Sequence, residues 1–509
     1  MTPRAAPSRL NREVSMKKTL FLLFALSLLA GCQHRPVGTF SPDPGTSKPL
    51  TVVLPTTAEP AAGFDPAFGW GAGEHVHEPL IQSTLTVTNA DLTIGYDLAD
   101  SMEVSGDGLT WTVKIRDDVK FTDGEPLTAE DVAFTYNTVK AASSVSDFTM
   151  LDYAEAADGT TVLFHMTRPF SIWPYTMAIT GILPEHSYDP ASYGANPIGS
   201  GRYILQQWDR GQQVILEANP AYYGAQPRME QVTILFMEED AAFLAVQAGQ
   251  ADLAYTSAAY SDQGVNGFSL LSVRTVDNRG INIALADGSP LDAPAVRAAI
   301  NRGIDRQAMI DHVLNGYGTP AYSVCDELPW YNPVSEVAYD PEGSRAVLNG
   351  KGISLTVHYP AGDSVRQGLA AELANQLGEL GIEADIKGVG WDTAYDDARY
   401  NPLIWGWGTH TPMELYNLHH SGPTQYVLYS SKAVDAYMDQ ALACTDLEES
   451  YALWQQAQEE IARDVPWVWL VNVDHLYWVR GGLHVAEQKL HPHGHGWSIV
   501  NNVDQWSWE

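Results

Sequence analysis

The chain of 509 residues carries 62 acidic against 29 basic side chains, a formal net charge of −33 at pH 7. That excess of negative charge excludes nucleic acid as an expected partner, because phosphate would be repelled. The length exceeds what one hydrophobic core holds, and a hydrophobic content of 45% is that of ordinary globular proteins, so at least two lobes are expected.

From the N-terminus, residues 1–15 fit no export signal and read as an extension upstream of a start at Met16. There MKKTLFLLFALSLLAGC places Lys17 and Lys18 before an apolar run, 20–30, too short to span a bilayer. Leu29, Ala30, Gly31 and Cys32 resemble a bacterial lipobox, which implies cleavage before Cys32 and diacylation of its thiol. Residues 16–31 are then a lipoprotein signal peptide, and 32–48, rich in Pro, Gly, Ser and Thr, a flexible tether. The body is expected to be exported, periplasmic and held at a membrane by the lipid on Cys32.

LTVVLP (50–55) reads as a first strand. Alternating Leu109, Trp111, Val113 and Ile115 predict another, followed by a turn at Asp123-Gly124. Thr128 is the expected N-cap of a helix through Val132 and Phe134, with Asp131 at its third position. TTVLFHM (160–166) is a strand, NPIGSGRYIL (196–205) a turn into a strand, and DAAFLAVQAGQADLAY (240–255) a helix stopped at Gly249 and then a strand. Beyond residue 290, helical patterns at 293–314 and 363–381 alternate with strands at 353–359, 382–389 and 401–408. That rhythm predicts a mostly parallel sheet. A last helix (447–464) precedes the apolar run 466–479, and there is no internal repeat. Cys325 and Cys444, left over once Cys32 is lipidated, either pair or stay free.

At this point the chain resembles the extracellular solute-binding proteins of ABC importers, in the family that binds peptides and nickel (family 5). The resemblance rests first on DGLTWTVKIRDDVKFTDGEPLTAEDVAFTY (107–136). NPIGSGRY (196–203), NPAYYG (219–224), AGQADL (248–253), VRAAINRGIDRQAMI (296–310) and YDPEGSRAVL (339–348) support it. It implies a two-lobed α/β fold of the periplasmic-binding-protein type with an extra subdomain and a ligand cleft between lobes. Lobe I would take 49–275, with the extra subdomain at about 79–193; lobe II would take 276–482, and 483–509 would return to lobe I. Hinge crossings are expected at 276–282 and 480–484. No catalytic cofactor is implied. The expected partners are a peptide or small-molecule ligand and the permease and ATPase subunits of an importer, with the protein itself a monomer.

The stretch WGWGTHTPMELYNLHHSG (405–422) carries the cargo question. In peptide-binding relatives the matching strand is followed by an acid that pairs with the peptide amino group. Here Gly408-Thr409-His410-Thr411-Pro412 lacks it, and a neutral side chain does not replace a carboxylate facing an ammonium. Glu414 is the candidate substitute, and Trp407, His410, Tyr416, His419 and Arg279 are the other expected ligand contacts. Arg279 has two readings, a clamp on a ligand carboxylate or a structural ion pair. The alternative cargo is a nickel or other transition-metal chelate, since imidazole suits such ions; His410, His419, His75 and His77 are the candidate metal ligands. His75 and His77 would share a face if their segment is a strand. HPHGHGW (491–497) is either a further metal loop or an interlobe packing segment. Trp467 and Trp469 are expected in the core. Neither H-E-x-x-H nor G-x-S-x-G occurs, which leaves a secreted hydrolase only a remote alternative.

Overall fold

The computed structural model describes residues 48–71, 77–142, 147–283, 286, 288–390, 393–394, 398–422, 428–494 and 496–509. The lipobox, the tether up to residue 47, His75 and His495 lie outside them.

The first strand, Leu50–Pro55, is buried along most of its length and sits inside a seven-stranded mixed sheet. It runs parallel to Gln231–Met237 on one side and Leu253–Thr256 on the other, while the remaining pairings are antiparallel. Burial on both faces explains why LTVVLP is a continuous apolar run with no alternation. Gly249, at φ +67°, ends the helix Glu239–Gln247 and turns the chain into Leu253–Thr256, as its sequence predicts.

A four-stranded antiparallel sheet (Ala99–Val104, Thr110–Ile115, Thr161–Met166, Leu151–Asp158) carries the helix Ala129–Ala142 on one face. Trp111, Val113 and Ile115 point into its core, while Leu109 is exposed. The cap forms as expected: Asp131 reaches back to the Thr128 amide and hydroxyl, both at 2.9 Å. Such a cap is worth about 1 kcal/mol.

A third sheet, in the order Gly318–Pro320, Trp467–Val473, Asn278–Asn282, Ile404–Trp407, departs from expectation. All its pairings are antiparallel. Ser354–Pro360 and Glu383–Val389, joined through the helix Ser364–Glu379, make the parallel pair that the helix–strand rhythm suggests, and a single parallel bridge from His358 to Leu403 extends it toward the strand Ile404–Trp407. The rhythm fails elsewhere because one of the four strands, Asn278–Asn282, arrives from the seven-stranded sheet and another, Trp467–Val473, leaves for it. The expected helix 293–314 is likewise two helices, Pro294–Gly303 and Arg306–Val313, separated where Asp305 caps the second through the Ala308 amide.

The chain crosses between these two sheets in the segment from Val273 to Asn278 and returns between Val473 and His475. The apolar run 466–479 is therefore two strands in two sheets. The return lies at Asp474, not at the expected 480–484, because apolar patterning alone does not mark where a strand changes sheets. The C-terminal segment packs back on the first sheet: Trp497 donates to the Ala58 carbonyl at 2.9 Å and Trp508 to that of Lys48 at 2.9 Å. Cys325 is a buried free thiol, pushed up to about 12 chiefly by burial, and Cys444 is also free.

Candidate functional site

Four chain segments meet where the sheets cross. Val276 donates to His491 (2.8 Å), Val473 to Asp277 (2.9 Å) and His493 to Gly408 (2.8 Å), all through backbone amides. A Cβ on Gly408 would stand 2.4 Å from the Val276 carbonyl oxygen, so only glycine lets the end of Ile404–Trp407 pass this close. At the centre is Asp277, 1% exposed. Arg279 donates to both its oxygens, His493 bonds one of them, His475 lies 3.3 Å from the other, and the Gly494 amide donates at 3.4 Å. Burial would raise this carboxyl, but Arg279 first, then the histidines, hold it well below the usual range. Arg366 lies beside Arg279 and pairs with Asp363. Two cations thus face two anions. Of the two readings for Arg279, the structure builds the ion pair with Asp277.

A cavity of about 100 Å³ opens on the other side of the 409–413 loop. Four segments wall it. His77, Glu78 and Thr88 come from the first. Ile172, Tyr175, Thr176 and Ile179 come from around the short helix Trp173–Met177. Thr409, His410, Thr411 and Met413 follow the strand Ile404–Trp407, and Lys489, Pro492 and Asn501 complete the wall. Glu78 and Lys489 are bonded to each other at 2.5 Å, and Lys489 also donates to the Thr88 carbonyl at 2.8 Å. His410 lies 2.8 Å from the Leu490 carbonyl through Nε2. A carbonyl only accepts, so Nε2 carries the proton and Nδ1 is left as a bare lone pair. Burial first, and Lys489 second, bring the His410 ring down to about 4, so it is uncharged at neutral pH. His77 packs edge-on against Trp70 (4.3 Å) and stacks on Trp497 (6.1 Å).

Of the expected contacts among the described residues, His410 and His77 share this cavity; the others do not line it. Glu414, 2% exposed, accepts from Asn278 Nδ2 at 2.6 Å and from the Thr409 amide at 3.4 Å, and burial raises its carboxyl to about 8. It is therefore a neutral buried acid behind the loop, not a carboxylate offered to an ammonium. His419 is fully buried against Tyr429 and Trp469, and burial drives its ring down to about 3. Tyr416 stacks on His420 at 4.2 Å, away from the cavity. Trp407 packs against the hydrophobic core, as Trp467 and Trp469 do. The reason is helical: in Met413–His419, positions 414, 415, 418 and 419 form the inward face, so adjacent histidines point apart. Among the described residues no group of three His, Cys, Asp or Glu side chains is placed to hold a metal ion. Glu78, Lys489 and the 172–179 wall were not visible as site residues, except that Glu78 follows His77 directly.

The model of the bacterial extracellular solute-binding proteins, family 5, matches residues 93–426. The chain is 29% identical over 474 residues to Protein XP55 of Streptomyces lividans, covering 86% of each chain. It is 26% identical over 508 residues to the oligopeptide-binding protein AppA of Bacillus subtilis, covering 90% of this chain and 93% of that one. In fold it is similar to NikZ of Campylobacter jejuni, solved in complex with Ni(L-His), with a TM-score of 0.73 and 21% identity over 90% of this chain and 99% of that one.

Proposed function

The chain belongs to the bacterial extracellular solute-binding proteins, family 5, which are transport binding proteins and not enzymes, and on that premise we propose that it captures a small peptide-like solute and delivers it to the permease of an ABC importer. The observation that carries this reading is the partly open cavity of about 100 Å³, whose walls come from segments on both sides of the sheet crossings. A solute touching all four segments at once favours the closed arrangement, and closure is what a membrane partner would recognise. Similarity to an oligopeptide-binding protein over 90% of the chain supports the peptide reading. We further propose that Cys32 carries the lipid anchor and that the protein acts as a monomer. Loss of membrane retention in Cys32→Ser, together with the mass of the mature N-terminus, tests the first; light scattering tests the second.

A second cargo, a nickel or other metal chelate, is favoured by one feature: the His410 Nδ1 lone pair and His77 share the cavity. With no three-ligand group among the described residues, the ion would arrive with most of its ligands already attached. Intrinsic tryptophan fluorescence separates the two. The protein, unfolded and refolded to strip bound solute, is titrated with a di- and tripeptide pool and, in parallel, with nickel–histidine. A saturable change with peptides is expected. A change with nickel–histidine alone would replace the peptide reading with the metal one.

A further inference from the structure

The cavity wall is electrically closed on itself. Among the described residues the wall's one carboxylate, Glu78, and its one ammonium, Lys489, satisfy each other. Each also has a partner on Thr88, whose amide donates to Glu78 at 3.1 Å and whose carbonyl accepts from Lys489 at 2.8 Å. Burial alone would raise the Glu78 carboxyl, but Lys489, joined by Arg202 and the Thr88 amide, holds it below its ordinary value. The nearby acid in the loop, Glu414, is turned to Asn278 and the Thr409 amide. The rest of the described wall is apolar (Ile172, Ile179, Met413) or carries hydroxyls (Thr88, Thr409, Thr411), together with the His77 imidazole and the Asn501 amide. Two acceptors of the described wall are open: Nδ1 of His410, because Nε2–H is spent on the Leu490 carbonyl, and Oδ1 of Asn501, which is buried without a hydrogen-bond partner.

A free ammonium or carboxylate entering this space would lose its water and meet no uncompensated opposite charge. Burying an unpaired ion costs several kcal/mol. An uncharged N–H or O–H would lose far less and would find the His410 lone pair. Size adds a second constraint. The cavity of about 100 Å³ is smaller than an engineered void of about 150 Å³ that holds benzene. It takes one acetyl- or amide-sized group, with the remainder of the solute outside it.

We propose that this cavity is a subsite for an uncharged, hydrogen-bond-donating group of the cargo, and that the cargo is a peptide whose buried end is blocked, by acylation, amidation or closure into a cyclic dipeptide. This rests on the peptide reading above. Lys489 is then a specificity residue: it cancels Glu78, which would otherwise attract a free amine.

The test is calorimetric titration of the stripped protein with Ala-Ala, N-acetyl-Ala-Ala-amide, cyclic Ala-Ala and nickel–histidine. A blocked or cyclic probe should bind at least about tenfold more tightly than the free dipeptide. In Lys489→Met the preference should shift toward the free dipeptide, and in the double variant Glu78→Gln, Lys489→Met the selectivity for blocked peptide should return. The double variant separates a lost charge balance from a lost fold. A free dipeptide binding as tightly as the blocked ones in the unaltered protein overturns this inference and leaves the peptide reading standing. Binding of nickel–histidine with none of the three peptides overturns both.

Discussion

At the sheet crossing, Asp277 accepts from Arg279, His475, His493 and the Gly494 amide. At the cavity wall, Glu78 accepts from Lys489 and one amide, and His410 keeps a ring nitrogen open. Both regions gather histidine, carboxylate and cation out of water, yet they are built for opposite ends. The first has its charges matched and its carboxylate fully engaged, so it holds its chain segments in register. The second has matched charges around a space, with an acceptor facing it. On the proposed reading, then, histidine count does not mark the ligand site; unspent hydrogen-bonding capacity beside a cavity does.

The sharpest way to break this comparison is Arg279→Met. It strips the main counter-charge from a carboxylate 1% exposed, and removal of one partner from a buried pair costs about 3–5 kcal/mol. Urea unfolding should show that loss; a loss below about 1 kcal/mol would mean that the crossing cluster is not structural. The same pair predicts acid sensitivity. The Asp277 carboxyl lies well below its unfolded value, so its stabilisation is complete above that value and is lost as pH falls through the folded one.

Glu414 has the opposite sign. Its folded carboxyl is raised to about 8, against an unfolded value of about 4.3. Its contribution is complete below the unfolded value and is lost as pH rises through about 8, a fall on the order of a few kcal/mol. Glu414→Gln, uncharged and of the same shape, should flatten the stability profile across that window. An unchanged slope in urea titrations at several pH values would show that the carboxyl is ionised and available to a ligand amine after all.

His410→Ala acts on the other region. It removes the open acceptor, and cargo affinity should fall by about tenfold or more, roughly 1.4 kcal/mol, with far-ultraviolet circular dichroism unchanged. Smaller still is Tyr175→Phe. The Tyr175 hydroxyl meets that of Tyr451 at 3.2 Å, joining the cavity wall to the helix Leu447–Asp464. Its loss should cost about 1 kcal/mol and show mainly as faster release in stopped-flow fluorescence.

Much of the fold is written locally. The Thr128–Asp131 cap, the Gly249 stop and the alternation from Trp111 to Ile115 each read correctly from neighbouring residues. What failed was non-local: the antiparallel course of Ile404–Trp407, and the split of 466–479 at Asp474, both set by which sheet a strand joins. The site fared worse for the same reason. His410 was within reach of sequence reasoning because the 409–413 loop departs from the family pattern. Lys489 and Ile179 were not, since only folding brings them to one cavity, and no spacing announces it. His419 misled because its helix turns it inward to Trp469.

We place the cargo at the cavity wall and not at the crossing cluster. Calorimetric affinity for one peptide ligand, measured side by side on Ile179→Trp and His493→Gln, tests this placement most directly. Ile179→Trp fills the cavity, and binding should weaken by about a hundredfold or more. His493→Gln touches only the Asp277 network, and affinity should stay within about threefold of the unaltered protein. Full affinity in Ile179→Trp, with loss in a folded His493→Gln, would move the site to the crossing and contradict the account.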